Sequence, residues 1–380
     1  MAPHLPRPEQ SLRDARREAG WDVARLAREL RRAGGGDVSA TTESLIRMIR
    51  DWEKGTYHPS ERYRLLLARL LAVDLEHHAP PRAIAVSTHT SADGVAAAVR
   101  ATTAHLIALD TRIGARDLVP AAVSAAMGAH RTAHRHLDAD RDVLAATAEA
   151  RQVAGWIAYD AECQDLSRRM SLEALLLAHT AKDRSMEHFV LAQLAMQDVH
   201  LHRPVEAARI CEAALGGTHG SVRTLFTLRQ ARAAAQMGEH TRARALIGQT
   251  YSRHLDGPRR KDPAWAWWLT EAEIAWHHAM IHADTGQWGQ AVERFAASAA
   301  RPTGYERAVF VAHASLLWAL AHAHAWDEAE TVLVNDVLPH QGEVASVRTE
   351  HMLTDAARLL DGAHGRPSLR EAARTLTANL

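Results

Sequence analysis

The sequence predicts an all-α protein in two parts, a small N-terminal unit of short helices and a long C-terminal array of repeating helix pairs. Three observations carry this expectation. One short segment near the N-terminus sorts apolar and basic residues onto opposite sides of a helix, the second half of the chain repeats a small turn followed by an alanine, and no stretch alternates with the period of two that strands require. With 380 residues, 47% of them hydrophobic, the chain has room for two or three domains.

The elements follow in order. Residues 12–19 read as a first helix ended by Gly20, and Asp22 is placed to cap a second helix whose apolar side carries Val23, Leu26, Ala27 and Leu30. Gly34, Gly35 and Gly36 end that helix. Thr41 and Thr42 suit the N-terminus of the third, Glu43 suits the positive end of its dipole, and Gly55 stops it before the turn containing Pro59. Within it, at about 100° per residue, Leu45, Met48, Ile49 and Trp52 form one stripe while Glu43, Arg47, Arg50 and Lys54 form the other. A fourth helix is expected over residues 61–73. A basic stripe alone also describes an ordinary solvated face, so the surrounding residues decide.

Those residues are Gly20-Trp21, Leu26-Ala27, the run Ile49-Arg50-Asp51-Trp52-Glu53-Lys54-Gly55, Pro59, and Leu65-Leu66-Leu67-Ala68-Arg69-Leu70-Leu71. Together they resemble the helix-turn-helix regulators of the phage-repressor or xenobiotic-response-element type. The resemblance implies that the helix near residues 42–52 reads double-stranded DNA from the major groove, with Thr42, Glu43, Arg47 and Arg50 nearest the bases and Lys54 nearer the backbone. Arg13 and Arg25, on the flanking helices, are candidate phosphate contacts, and Trp52 is expected in the core. The chain departs from the pattern in one respect: from Leu26 to Glu53 it is longer by about a dozen residues, mostly around 33–40, so the turn is not the tight type.

Charge supports a division of labour. The 45 basic and 45 acidic residues balance over the whole chain, yet residues 1–74 carry 14 Lys/Arg against 11 Asp/Glu and the remainder 31 against 34. The excess has the sign expected if only the N-terminal part approaches phosphates. Cys163 and Cys211 are the only cysteines and form no metal-binding or disulfide pattern, which with the absence of an apolar leader or a span of about 20 apolar residues predicts a cytoplasmic protein without membrane contact.

Domain boundaries are expected at 1–78, 79–94 and 95–380, because His77-His78-Ala79-Pro80-Pro81 followed by a small, polar stretch reads as a linker. Beyond it, helices are expected over 95–113, 119–137 and 143–163, then in repeats. Alanines 207, 243, 291 and 329 each follow a small turn, at intervals of 36, 48 and 38 residues, and the long interval contains the insertion 256–263. Four residues past each alanine stands Cys211, Ile247, Phe295 or Leu333, suited to the core of a helix pair. An earlier pair, 150–163 and 167–179, reads as a degenerate copy. This pattern, clearest at Gly286-Gln287-Trp288, resembles tetratricopeptide repeats, whose period is about 34.

An N-terminal helix-turn-helix domain followed by a tetratricopeptide-like helical superhelix resembles a large class of actinobacterial-type transcriptional regulators. The resemblance covers nearly the whole chain and implies operator binding in one domain, with dimerisation, ligand sensing or both in the other. A homodimer is expected, joined through residues 95–137 or the last helix, 368–380. First-helix residues Phe189, Met196, Leu228, Arg232, Trp276, Met280 and Trp318 are expected to line an apolar groove for a peptide or small-molecule effector. The alternative is a repeat-based protein-interaction scaffold with a vestigial helix-turn-helix. An enzyme is not expected, since no phosphate-binding loop, nucleophile elbow or zinc-protease motif occurs. Neither a cofactor nor a metal is expected either: His130, His134 and His136, like His278 and His282, share helix faces but lack a further ligand set at zinc spacing.

Overall fold

The structure is a computed structural model that describes residues 12–34, 40–54, 59, 63, 66–67, 70–71, 92–135, 140–257, 259, 261–301, 305–364 and 366–380. Among these it is all-helical, with 17 α-helices and no strand. No helix is long and apolar enough to cross a membrane. The chain divides into two compact units, Met1–Ser87 and Thr88–Leu380.

The first unit contains α1 (Leu12–Glu18), α2 (Val23–Gly34) and α3 (Thr42–Glu53). Asp22 caps α2 by accepting from the Arg25 amide at 2.6 Å, and Thr41 caps α3 by accepting from Ser44. Leu12, Leu26, Ala27, Leu30, Leu45, Ile49, Trp52 and Leu67 form one buried cluster. Trp52 is 8% exposed and its ring lies 5.2 Å from that of Tyr63, so the expected core role is where the residue sits. The expected turn between α2 and α3 lies mostly outside the described residues, at 35–39. Of the expected fourth helix only Tyr63, Leu66, Leu67, Leu70 and Leu71 are described, all helical; Gly35, Gly36 and Gly55 lie outside the described residues.

A buried ion pair joins α1 to α3. Arg16 donates to both carboxylate oxygens of Glu53, at 2.6 and 3.1 Å, and to the Trp21 carbonyl at 2.7 Å. The sequence marks Glu53 only as part of a motif. Its side chain is 6% exposed, so the carboxylate acts as an internal strut.

The second unit begins with α4 (Ala92–Ile113), three residues earlier than the expected boundary; residues 79–91 of the expected linker lie outside the described residues. There follow α5 (Val119–Arg135), α6 (Arg141–Asp160), α7 (Gln164–Ala181), α8 (Arg184–His200), α9 (Pro204–Leu215), α10 (Gly220–Gln236), α11 (His240–Leu255), α12 (Glu271–Asp284), α13 (Trp288–Ala299), α14 (Glu306–His322), α15 (Trp326–Val332), α16 (Val347–Asp361) and α17 (Pro367–Ala378). Consecutive helices pack as pairs, while α4, α6, α8, α10 and α12 also touch in succession, as do α14 and α16. The even-numbered helices therefore form one layer, against which the odd-numbered helices pack. Ala207, Ala243, Ala291 and Ala329, with Cys211, Ile247, Phe295 and Leu333, are all between 0 and 4% exposed. Small side chains at these points let paired helices approach closely, and each large buried neighbour stabilises the pair by about 1.5–3 kcal/mol.

The layer of even-numbered helices closes on itself, because α14 packs against α4. The Ala345 amide donates to the Ile113 carbonyl at 2.8 Å and the Arg116 amide donates to the Ala345 carbonyl at 3.0 Å. Gly114 sits between them at φ +82, where a Cβ would meet the Ala345 carbonyl oxygen at 2.6 Å. Only glycine satisfies both the backbone angle and the contact. Arg116 pairs with Glu350 and Arg112 with Glu306 around the same joint.

Candidate functional site

Two places concentrate chemistry. The first is the outer face of α3. Its cap and the burial of Leu45, Ile49 and Trp52 fix the rotation of the helix, and that rotation leaves Glu43, Arg47, Arg50 and Lys54 exposed. None of these four forms an ion pair with another described residue. Thr42 is half-buried and accepts from Arg31 at 3.3 Å, which adds a cation beside it that the sequence did not single out. Arg25 is exposed with its guanidinium 5.2 Å from the Trp21 ring. Arg13 is 44% exposed, its Nε 3.6 Å from Glu53, so it belongs in part to the strut between α1 and α3.

The second is the interior of the second unit, where the seven expected groove residues are not one apolar surface. Leu228 is fully buried in the core and is corrected to a packing residue, while Met196 is 8% exposed. Phe189 is stacked under Trp265 at 4.4 Å, because the segment after the insertion folds over it and anchors the indole to Ser185. Trp276, Met280 and Trp318 do gather around the Phe295 cluster. The two indoles are occupied: Trp276 donates to Ser315 and Trp318 to Asp355, both at 2.9 Å. Arg232 is buried against Asp284 at 3.0 Å and lies 6.0 Å from the Trp276 ring.

Around Trp276 the interior is rich in charge. Arg307 from α14 and Arg348 from α16 both reach the Asp160 carboxylate of α6, at 2.8 and 3.2 Å, and Asp160 is 0% exposed. Burial pushes the Asp160 carboxyl up, but the charges of Arg307 and Arg348 outweigh it and hold the group below the ordinary carboxylate range. Asp110 on α4, 3.8 Å from Arg307 and accepting from Trp156 at 3.0 Å, is raised instead, because burial prevails there. The Arg348 guanidinium lies 5.4 Å from the Tyr159 ring and 5.6 Å from that of Trp276.

Arg229 is the exception among these cations. It is 3% exposed, and its hydrogen-bond partner is His277, with no carboxylate ion pair among the described residues. Burial, with the Arg229 charge beside it, pushes the His277 ring down to about 3, so the imidazole is neutral near pH 7. Glu273 also approaches the same ring nitrogen, at 3.0 Å. One nitrogen carries one proton or one lone pair, so it serves Arg229 or Glu273 but not both. The Glu273 side chain is 33% exposed and therefore marks where solvent reaches this region.

Sequence reasoning missed Asp160, Arg229, Arg307 and Arg348. The available signal was Asp160, which ends the run Trp156-Ile157-Ala158-Tyr159 on a helix buried on nearly every side; an ionisable group there requires a partner. The rings of His278 and His282 stack at 4.9 Å, while the side chains of His134 and His136 lie outside the described residues. Among the described residues no group of three or more His, Cys, Asp or Glu is placed to hold a metal ion. Compared with known proteins, the chain matches no family model and no curated sequence.

Proposed function

We propose that the protein is a sequence-specific DNA-binding transcriptional regulator whose helical second unit mediates dimerisation, senses a small-molecule or peptide signal, or both. The observation that carries this reading is the outer face of α3. A helix pinned by three buried apolar residues presents Arg47, Arg50 and Lys54 without intramolecular carboxylate partners among the described residues, as a helix does when its partners are phosphates and base edges. Neutralising phosphates gives salt-dependent affinity, and arginine forks discriminate guanine by two parallel hydrogen bonds.

The test is selection of bound fragments from a genomic library followed by gel-shift titration of the selected site. Arg47→Ala and Arg50→Ala are each expected to weaken specific binding by about 1–3 kcal/mol. Unchanged affinity for both variants refutes the placement. Twofold symmetry would double the contacts one small unit makes, so the reading includes a homodimer on a two-part operator. Light scattering that returns a monomer both free and on DNA refutes that part.

A further inference from the structure

The stretch that leads into α12 covers the second unit more than it builds it. Residues 261–268 fall in the longest of the three repeat intervals, and the shorter intervals on either side form their helix pairs without such a segment. In its single helical turn, Ala264–Trp268, no residue is buried, and Trp267 is 48% exposed. Only the next residue, Leu269, enters the core, at 7% exposed.

A small set of side-chain contacts holds this stretch against the N-terminal ends of α8, α10 and α14. At the start of α10 the Asp262 carboxylate accepts from the Ser221 amide at 3.0 Å and from the Ser221 hydroxyl at 2.7 Å. The first amides of a helix lack partners within it, so Asp262 caps α10 from a remote part of the chain. A Cβ at Gly220, where φ is +56, would collide with that carboxylate. Trp267 packs on Tyr305, the rings 5.1 Å apart. Trp265 lies flat on Phe189 of α8, 4.4 Å away and 4° from parallel, and its indole N–H donates to Ser185 at 2.9 Å. The Trp268 ring stands 6.4 Å from that of Phe189 and 5.8 Å from the Arg229 guanidinium.

We propose that residues 261–268 are a displaceable strap, latched by Asp262, whose Trp265 indole occupies a binding slot for a flat aromatic ligand on α8. The slot is what remains when Trp265 swings away: the face of Phe189, the ring of Trp268 and the Ser185 hydroxyl. An incoming ring that stacks on Phe189 and donates one hydrogen bond to Ser185 replaces both contacts that Trp265 gives up, so the exchange is close to balanced. The ligand class is therefore a planar ring with one N–H or O–H donor, the chemistry of Trp265 itself. Because the strap belongs to the chain, the slot binds with its intrinsic affinity reduced by the fraction of molecules in which the strap is open. The inference rests on the reading of the second unit as a sensor and gives that sensor a ligand class and a gate.

The test uses the full chain and indole as the probe. Calorimetry compares the unaltered protein with Asp262→Ala, which frees the strap and leaves every aromatic residue in place, with Trp265→Ala, which vacates the slot, and with the double variant Phe189→Ala/Asp262→Ala. Asp262→Ala and Trp265→Ala are each expected to bind indole about tenfold more tightly than the unaltered protein, and the double variant is expected to lose that gain. Asp262→Ala decides the matter even where Trp265→Ala fails to fold. A gain in Trp265→Ala alone means that indole fills an engineered hole beneath a fixed segment and overturns the strap. No gain in Asp262→Ala, a folded Trp265→Ala variant without one, or a gain that survives the loss of Phe189 overturns the slot. Operator affinity of the unaltered protein separates this inference from the regulator reading: gated indole binding without DNA binding leaves the strap standing and removes the regulator, and DNA binding without gated indole binding does the reverse.

Discussion

Replacing Asp160 with asparagine isolates the interaction on which the closed layer depends. The carboxylate is 0% exposed and holds Arg307 and Arg348, whose side chains are only 12 and 13% exposed. Asparagine keeps the shape, and a carbonyl oxygen where both guanidiniums meet Oδ1, but removes the charge. Breaking a buried pair by removing one partner costs about 3–5 kcal/mol, and one retained carbonyl acceptor places the expected loss near the lower end, about 3 kcal/mol. Urea unfolding followed by far-ultraviolet circular dichroism measures it. The pH dependence gives a second readout. Asp160 is held below its ordinary value when folded, so its stabilisation is complete above the unfolded carboxylate value of about 3.9 and is lost as pH falls through the folded value. Asp110, raised by burial, contributes with the opposite sign, so the difference between the variant and the unaltered protein is the informative quantity. That difference should shrink in acid. A loss below about 1 kcal/mol near pH 7, or a difference that grows in acid, would refute the argument that Asp160 is an ionised keystone.

Three further outcomes are expected. Trp52→Ala should destabilise the first unit by about 3–5 kcal/mol, read as early loss of its protection in hydrogen exchange while the second unit keeps its own; an unchanged exchange pattern contradicts a core role. Gly114→Val should cost about 2–4 kcal/mol, because a β-branched residue at φ +82 is strained and its Cβ displaces the Ala345 carbonyl, and the Ala345 amide should exchange faster; retained protection there rejects the joint. Iodoacetamide should label the exposed Cys163 in the native protein but not Cys211, whose thiol burial pushes up to about 12; native labelling of Cys211 would mean that the α9 core opens readily.

The sequence made the local parts of this fold legible and hid the distant ones. Capping residues and helical periodicity placed α3 to within a residue, and the turn-alanine pattern found positions that are buried, because both depend on neighbours a few residues apart. The interior site depends instead on residues from α4, α6, α10, α12, α14 and α16 meeting across the unit. Arg307 and Arg348 stand on helices whose charged residues read, one at a time, as solvated face. Nothing near either one announces that Asp160, well over a hundred positions away, is its partner. The groove reading failed at Leu228 for a related reason: counting back from an aligned alanine fixes a residue's place on its own helix, but whether that face is open depends on what the next helices bring over it.

The joint between Gly114 and Ala345 changes how the second unit should come apart. In an open stack of repeats each end has a single neighbour, so terminal helices fray first and disorder spreads inward along a line. Here the opening helix α4 leans on α14 and is tied by backbone to the segment before α16, which leaves the array without a loose leading end. Deleting the chain from Val347 onward would therefore not merely shorten the stack. It would strip Asp160 of Arg348 and Arg116 of Glu350, and the damage would surface at α4 and α6, far from the cut in sequence. Melting of this unit should behave like the failure of a hoop, in which one break slackens the whole circumference.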